Sequence, residues 1–436
     1  MRSYHRLYHL LVVPALLLAL GTVAGCHKPT AGYGSMEGRV TDADGAGIYG
    51  VSVIYGDSSV VTDQSGYYRY DNVPDGTQGF RFELRGYYPV MELVNIPAGG
   101  TAGCDVRLDI IRTGWAAGAE DSGYGTILGS TDAGRSWVRQ GSPATVPSAR
   151  LTDVCAVSDR ICWIAGDADT VRGSTVILRT DDGGTTWSNQ GTSITSIPPV
   201  SVAGIISMDG DTAWAAASDT GLVLKTVNAG KSWSVCRSSD YAAGFTAITT
   251  PDGVNVWCCG VSAEGYAVME YSPDGGVTWT VTDITALTGL SGRPSDICAV
   301  SESVVYIAGT GSIGLLALMD GGTRWIQPLA GMELLSLDIL DSSRMWASGA
   351  DGHLSGTGDG FESIVESVPA EGSFPGGPVT SVAFLRNAVY GAFAVKSQTG
   401  ATGSLFYTVD SGATWSQSSL PFSFSLESVD FVGRNN

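Results

Sequence analysis

Positive charge is what this chain has least of. Its 436 residues carry 24 Lys and Arg against 43 Asp and Glu, a formal net charge of −19, with only four His. That balance speaks against a nucleic-acid partner, because phosphate binding needs a basic footprint. Charged residues of both signs make up only 15% of the chain and Gly is abundant, which fits an extracytoplasmic β protein. No Cys-x-x-Cys pair occurs, and with so few His neither a zinc nor a haem site is indicated, so no metal and no cofactor is expected. Beyond Cys26 there are seven cysteines, at 104, 155, 162, 236, 258, 259 and 298, and the odd count leaves at least one unpaired within a monomer. Cys155 and Cys162 flank a short turn and could face each other across a hairpin, but spacing alone sets no disulfide framework. The apolar run from Leu10 to Leu20 is too short for a comfortable membrane span.

What the chain has in quantity is one short string. Ser130-Thr-Asp132-Ala-Gly134-Arg-Ser136-Trp137 returns around Asp182, Asn228, Asp274 and Asp410, each time ending in Trp, with a shorter copy at Asp320-Gly-Gly322-Thr-Arg-Trp325. The Trp positions step by 50, 46, 46 and 46, then by 90, twice 45. An eroded copy belongs in the double step, and Thr357-Gly-Asp359-Gly-Phe361 lies there. Seven units of about 46 residues predict a repeat architecture. Each string suits a hairpin turn: the Asp or Asn accepts turn N–H groups, Gly takes positive φ, and Trp opens the next strand. A second string precedes each turn, such as Gly114-Trp115-Ala-Ala-Gly118 and Cys162-Trp163-Ile-Ala-Gly166. In front of most of these stands an alternating strand such as Thr152–Val157 or Ser295–Val300. Four strands per unit and seven units predict an all-β, seven-bladed β-propeller over 112–436. The first unit lacks its leading strand, and residues 426–432 read as that strand, closing the ring and removing the open edge.

The repeated string resembles the Asp box, the bacterial neuraminidase repeat of sialidases, sortilin-type receptors and related propellers. In that family the boxes lie away from the ligand face, which implies structural roles for Asp132, Asp182, Asn228, Asp274, Asp320, Asp359 and Asp410. A sialidase would also need an arginine triad, a Tyr–Glu nucleophile and a Phe/Tyr-Arg-Ile-Pro string, which this chain lacks. Endoglucanases of the xyloglucanase type set carboxylates across a cleft between two propellers, and one propeller is read here. The order Val429-Asp-Phe-Val432, Gly114-Trp-Ala-Ala-Gly118, Ile127-Leu-Gly-Ser-Thr-Asp132 is similar to the photosystem II assembly/stability factor family, over roughly 320 residues. That resemblance implies a non-enzymatic propeller that binds protein partners.

Ahead of the propeller, Arg2 and Arg6 precede the Leu10–Leu20 run, which ends in Val23-Ala24-Gly25-Cys26. Small residues followed by Cys resemble the bacterial lipobox, implying a signal peptide over 1–25 and lipidation of Cys26, with several acyl chains giving a stable anchor. His27 in place of Asp favours the outer membrane where the cell has two. After a linker over 26–35, the segment 36–111 contains Thr62-Asp63-Gln-Ser-Gly66-Tyr-Tyr-Arg-Tyr, Asn72-Val-Pro-Asp-Gly76 and Arg85-Gly86-Tyr87. These resemble the carboxypeptidase regulatory-like domain, a small transthyretin-like sandwich that acts as a spacer or adhesion element.

A docking face is expected where inner strands enter the central channel. Arg150 and Asp153 begin one such strand and Arg293 and Asp296 hold the same places three units on, with Ser336, Ser381 and Ser428 at the matching positions of other units. No catalytic residue is assigned. The expectation is a lipid-anchored envelope protein whose propeller docks a protein partner. The competing reading is a glycoside hydrolase or a lectin acting on a glycan.

Overall fold

The computed structural model describes residues 32–319, 324–341, 343–359, 363, 365–366, 376–397, 402–421 and 425–433. The lipobox, Cys26 and Asp320 therefore lie outside the described residues. The chain is all-β: seven four-stranded antiparallel sheets follow one another as blades, and two further four-stranded sheets form the N-terminal sandwich.

The repeated turn makes each blade for a local reason. In blade 1, Ser130 Oγ accepts from Gly134 N–H (3.0 Å) and donates to Asp132 Oδ1 (2.9 Å), while Asp132 accepts from both Ser136 N–H (2.9 Å) and Ser136 Oγ (2.6 Å). Gly134 sits at φ +83°, which only Gly adopts without cost, and Trp137 Nε1 donates to Gly134 O at 2.9 Å. The Ser/Thr and Asp bonds of this set recur around Asp182, Asp274 and Asp410. At Asn228 the amide does both jobs, Oδ1 accepting from Ser232 N–H and Nδ2 donating to Ser232 Oγ. The eroded copy works as well: Asp359 accepts from Ser363 N–H at 2.9 Å. These hydrogen bonds pull the carboxyls below the usual range, Asp274 and Asp359 to about 2. The turns hold the third and outer strands of each blade together, and the small-residue second strands let Trp115, Trp163 and Trp214 bury completely between sheets. Trp163 meets Trp233 edge-on at 5.8 Å between centroids; removing such a ring costs about 3–5 kcal/mol.

The inner strand of blade 1 is the last strand among the described residues. Leu426–Phe431 pairs with Gly114–Asp121, Leu426 opposite Gly118 and Phe431 opposite Gly114. The sandwich packs Tyr33–Thr41, Tyr67–Pro74, Thr101–Gly103 and Val106–Arg107 against Ser52–Tyr55, Ser58–Val61, Gly76–Glu83 and Val90–Ile96, around Met36, Val53, Tyr68, Phe80 and Phe82. Its first strand begins at Tyr33, inside the stretch read as linker, because Tyr33 already pairs with Pro74 and Ser35 with Thr101. No disulfide joins any of the seven described cysteines. Cys162 stands opposite Ala156 and Cys155 opposite Trp163, so these two do not face each other. No helix among the described residues is long and apolar enough to cross a membrane.

Candidate functional site

All seven inner strands carry a β-bulge at one place. The register slips between Leu151 and Asp153, Val202 and Gly204, Phe245 and Ala247, Pro294 and Asp296, Leu334 and Ser336, Val379 and Ser381, and Leu426 and Ser428. A bulge leaves backbone groups unpaired and re-aims side chains. Here it turns consecutive residues toward the axis, and the channel they line, about 130 Å³, begins at this level. We call the end where inner strands start the inlet and the end where they finish the outlet.

The polar residues of the channel stitch one blade to the next in layers. In the first layer a hydroxyl donates to a carbonyl of the following blade: Thr152 to Val202 O (2.6 Å), Ser295 to Leu334 O (2.7 Å) and Thr380 to Leu426 O (3.0 Å). In the second layer an oxygen accepts the N–H that the bulge frees. Asp153 Oδ2 accepts from Ile205 N–H (2.9 Å) and Asp296 Oδ2 from Leu337 N–H (2.7 Å), while each Oδ1 accepts from its own following residue at 2.8 Å. Ser381 Oγ accepts from Val429 N–H (3.1 Å), and Ser428 Oγ donates to Asp153 Oδ1 (3.1 Å). Blade 3 has Gly204 instead; a Cβ there would stand 3.2 Å from Ile248 N, so close strand contact replaces the stitch. A third layer holds Asp430 and Asp338, both fully buried. Asp430 accepts from Phe431 N–H (2.9 Å) and from Ala156 N–H of blade 2 (2.7 Å), and Asp338 accepts from Phe384 N–H of blade 7.

Asp153 and Asp296 are thus brought together on one ring, each accepting from two backbone N–H groups, and Asp153 also from Ser428 Oγ. Their arginine neighbours are not on that ring. Arg150 is half-exposed at the inlet rim, 3.3 Å from Glu427 Oε1, which Lys396 Nζ also reaches at 2.6 Å. Arg293 is exposed at the rim, its carbonyl accepting from Thr310 N–H at 3.0 Å. Asp338 and Asp430 escaped the sequence reading. Their signal was present as an acid inside an otherwise apolar inner strand, Leu337-Asp338-Ile339 and Val429-Asp430-Phe431. Among the described residues no group of three or more His, Cys, Asp or Glu side chains could hold a metal ion.

The sandwich covers the outlet. Its loop 84–88 lies against residues that follow the inner strands of blades 1, 3 and 7. Gly86 (φ +89°) and Gly433 (φ +96°) approach so closely that a Cβ on Gly433 would stand 2.5 Å from Gly86 Cα. Arg85 Nη1 points to Met208 Sδ at 3.0 Å. Ile111 N–H donates to Gly86 O (2.8 Å) and Tyr88 N–H to Asp109 O (2.9 Å), tying the loop to the segment that leads into blade 1.

Residues 35–109 match the carboxypeptidase regulatory-like domain family. No curated protein matches the chain. Among solved structures, "YCF48 bound to D1 peptide" superposes at 17% identity and a TM-score of 0.52, over 68% of this chain and 89% of that one. YCF48 from Cyanidioschyzon merolae reaches 19% identity and 0.45, over 62% and 84%. The GH74 xyloglucanase from Xanthomonas campestris reaches 15% identity and 0.47, over 61% of this chain and 45% of that one. At 17% identity the first of these shows a shared propeller fold and nothing more.

Proposed function

We propose that this protein is a lipid-anchored, extracytoplasmic docking scaffold whose propeller binds a protein segment at its inlet face and performs no catalysis. The observation that carries this reading is the blocked outlet. With the sandwich seated over one end of the axis, the inlet is the end at which a partner has access. Its rim offers Arg150, Arg293 and the Glu427–Lys396 pair. A hydrolytic pair needs one carboxyl free to move a proton, whereas the channel carboxylates Asp153 and Asp296 are engaged by backbone N–H donors. A propeller of this fold holding a peptide has been seen in YCF48 with its D1 peptide; that likeness bears on the fold, and the docking reading rests on the closed outlet. Anchoring through Cys26 rests on the Val23-Ala24-Gly25-Cys26 string.

Photocrosslinking residues placed at 150 and 293, compared with 138 and 277 on the outer strands and turns, test both parts in intact envelopes. The expected result is one discrete protein adduct from the two inlet positions only, with Cys26→Ser moving the chain from the membrane to the soluble fraction. Adducts distributed equally over all four positions, or turnover of a β-glucan or sialoside by the purified chain, would overturn the docking reading. Retention of Cys26→Ser in the membrane would overturn the anchor.

A further inference from the structure

Blade 2 ends its outer strand early. Only Ser188–Asn189 pairs with the third strand, Ser174–Thr180. Asn189 then caps a short 3-10 turn, Gln190–Ser193, by accepting from Gly191 N–H at 3.0 Å. The same side chain fills the strand edge that the backbone leaves: Oδ1 accepts from Ile177 N–H (3.1 Å) and Nδ2 donates to Thr175 O (3.2 Å). Beyond the turn, residues 192–199 form one wall of a groove of about 840 Å³ at the inlet end, with the loop at 144–147 and the hairpin at 172–174 as the others. That is the size of a ligand site.

The lining mixes apolar and hydroxyl side chains. Trp187, Ile194 and Pro147 supply apolar surface, and Ser174, Thr192 and Thr195 stand among them. One charged side chain lines the groove, Arg172, which already reaches Asp169 Oδ2 at 3.8 Å and Pro143 O at 3.4 Å. Among the described residues no carboxylate lines it. In a chain of net charge −19 that is a local departure, and it suits a neutral occupant. Trp187 adds an unmet donor. It is 3% exposed and its Nε1 has no acceptor, whereas Trp137 and Trp279, at the same place in their own turns, donate to Gly134 O and Gly276 O. Its pyrrole edge faces the start of the opposite loop, since a Cβ on Gly141 would stand 3.9 Å from Trp187 Cδ1. A buried N–H without an acceptor is costly, so an oxygen brought to it is favoured.

We infer that this groove binds a short neutral oligosaccharide. Its apolar ring faces lie on Ile194 and Pro147, its hydroxyls meet Ser174, Thr192 and Thr195, and one of its oxygens accepts from Trp187 Nε1. Sugar hydroxyls both donate and accept, as the lining hydroxyls do. An extended peptide would instead add to an open strand edge, and Asn189 occupies that edge. With no carboxyl in the lining the sugar is held and not cleaved. The inference goes beyond protein docking at the rim: neither Arg150 nor Arg293 lines the groove, so either reading can fail without the other.

Titration calorimetry of the whole chain with cellotriose, maltotriose and chitotriose tests it. The expected result is saturable binding of at least one of them, weakened at least tenfold in Thr195→Arg, where a long side chain from an exposed position enters the groove. Trp187→Phe, which keeps a ring and removes the N–H, should weaken it as well, and Val277→Arg, on an exposed turn of blade 4, should leave it unchanged. Should Trp187→Phe fail to fold, Thr195→Arg carries the test. No binding of any of the three sugars, or undiminished affinity in Thr195→Arg or in a folded Trp187→Phe, would overturn the proposal, as would an equal loss in Val277→Arg.

Discussion

Replacing Asp430 with Ala tests whether the buried carboxylates hold the ring together. Asp430 is fully buried on the closing strand and accepts from two backbone donors, its neighbour Phe431 N–H and Ala156 N–H of the next blade. Ala leaves both donors without that acceptor in a place water does not reach. Each orphaned donor costs about 1–3 kcal/mol, so the expected loss is about 3–5 kcal/mol once part of the carboxylate's own desolvation is returned. Asp430→Asn keeps one acceptor oxygen but turns an NH2 group toward the second donor, which sets its loss near about half of that. Urea unfolding followed by Trp fluorescence suits the measurement, since all 11 Trp lie from Trp115 onward and report the propeller alone. Asp338→Ala is the matched control, the same layer on blade 6 away from the closing seam. Both Ala variants should lose similar stability, but only the Asp430 variant should speed hydrogen exchange over 426–431. An Asp430→Ala protein within about 0.5 kcal/mol of the parent would refute the stitching argument, because surface changes alone reach that size.

Acid should unfold the propeller through its turns. Asp274 and Asp359 fall from about 3.8 to about 2 on folding, with Asp132, Asp182 and Asp410 lowered in the same direction. A depressed carboxyl contributes stability that is complete above its unfolded pKa and disappears as pH falls through the folded one. Urea midpoints should therefore stay level from pH 7 to about 5 and drop between about 4 and 2; a level midpoint down to pH 2 would contradict this. The thiols should be silent in the folded chain. Burial pushes Cys155 and Cys259 up to about 12 and Cys162 and Cys258 well above their ordinary value, and thiolate is the reactive form. A chromogenic disulfide reagent at pH 8 should leave these four unmodified for hours and label them at once in guanidinium chloride, and prompt labelling of any of them in the native chain would refute the buried placement.

The blades were legible because their chemistry is local. Ser130, Asp132, Gly134 and Ser136 close one turn within a stretch of seven residues, so the string carries its geometry wherever it occurs, and even Thr357-Asp359 retains it without the Gly. The sandwich was legible in the same way through its turn residues, although its first strand begins earlier than the 36–111 reading, since pairing of Tyr33 with Pro74 is 41 residues distant and leaves no local mark. What depends on assembly was not legible. The partners of Asp153 and Asp430 lie 52 and 274 residues away. Arg85-Gly86-Tyr87 read only as part of a sandwich signature, whereas Gly86 is needed for its contact with Gly433 on the other domain.

The bulge ring narrows the question of a partner further than the repeats do. If the ring served only closure, one residue type would serve all seven blades, as the turn string nearly does. Instead the equivalent positions read Ser428, Asp153, Gly204, Ala247, Asp296, Ser336 and Ser381. Blades 3 and 4 present no polar side chain at this level, although Thr246 and Thr249 of blade 4 line the channel beside it, so the unevenness is confined to this one layer. A symmetric plug cannot use that difference, but an extended segment with unlike sides can, its polar side toward blades 5 to 2 and its bare backbone or small residues toward blades 3 and 4. Closure requires a stitch and tolerates several chemistries; the uneven choice among them is the part of the channel that a bound segment would read.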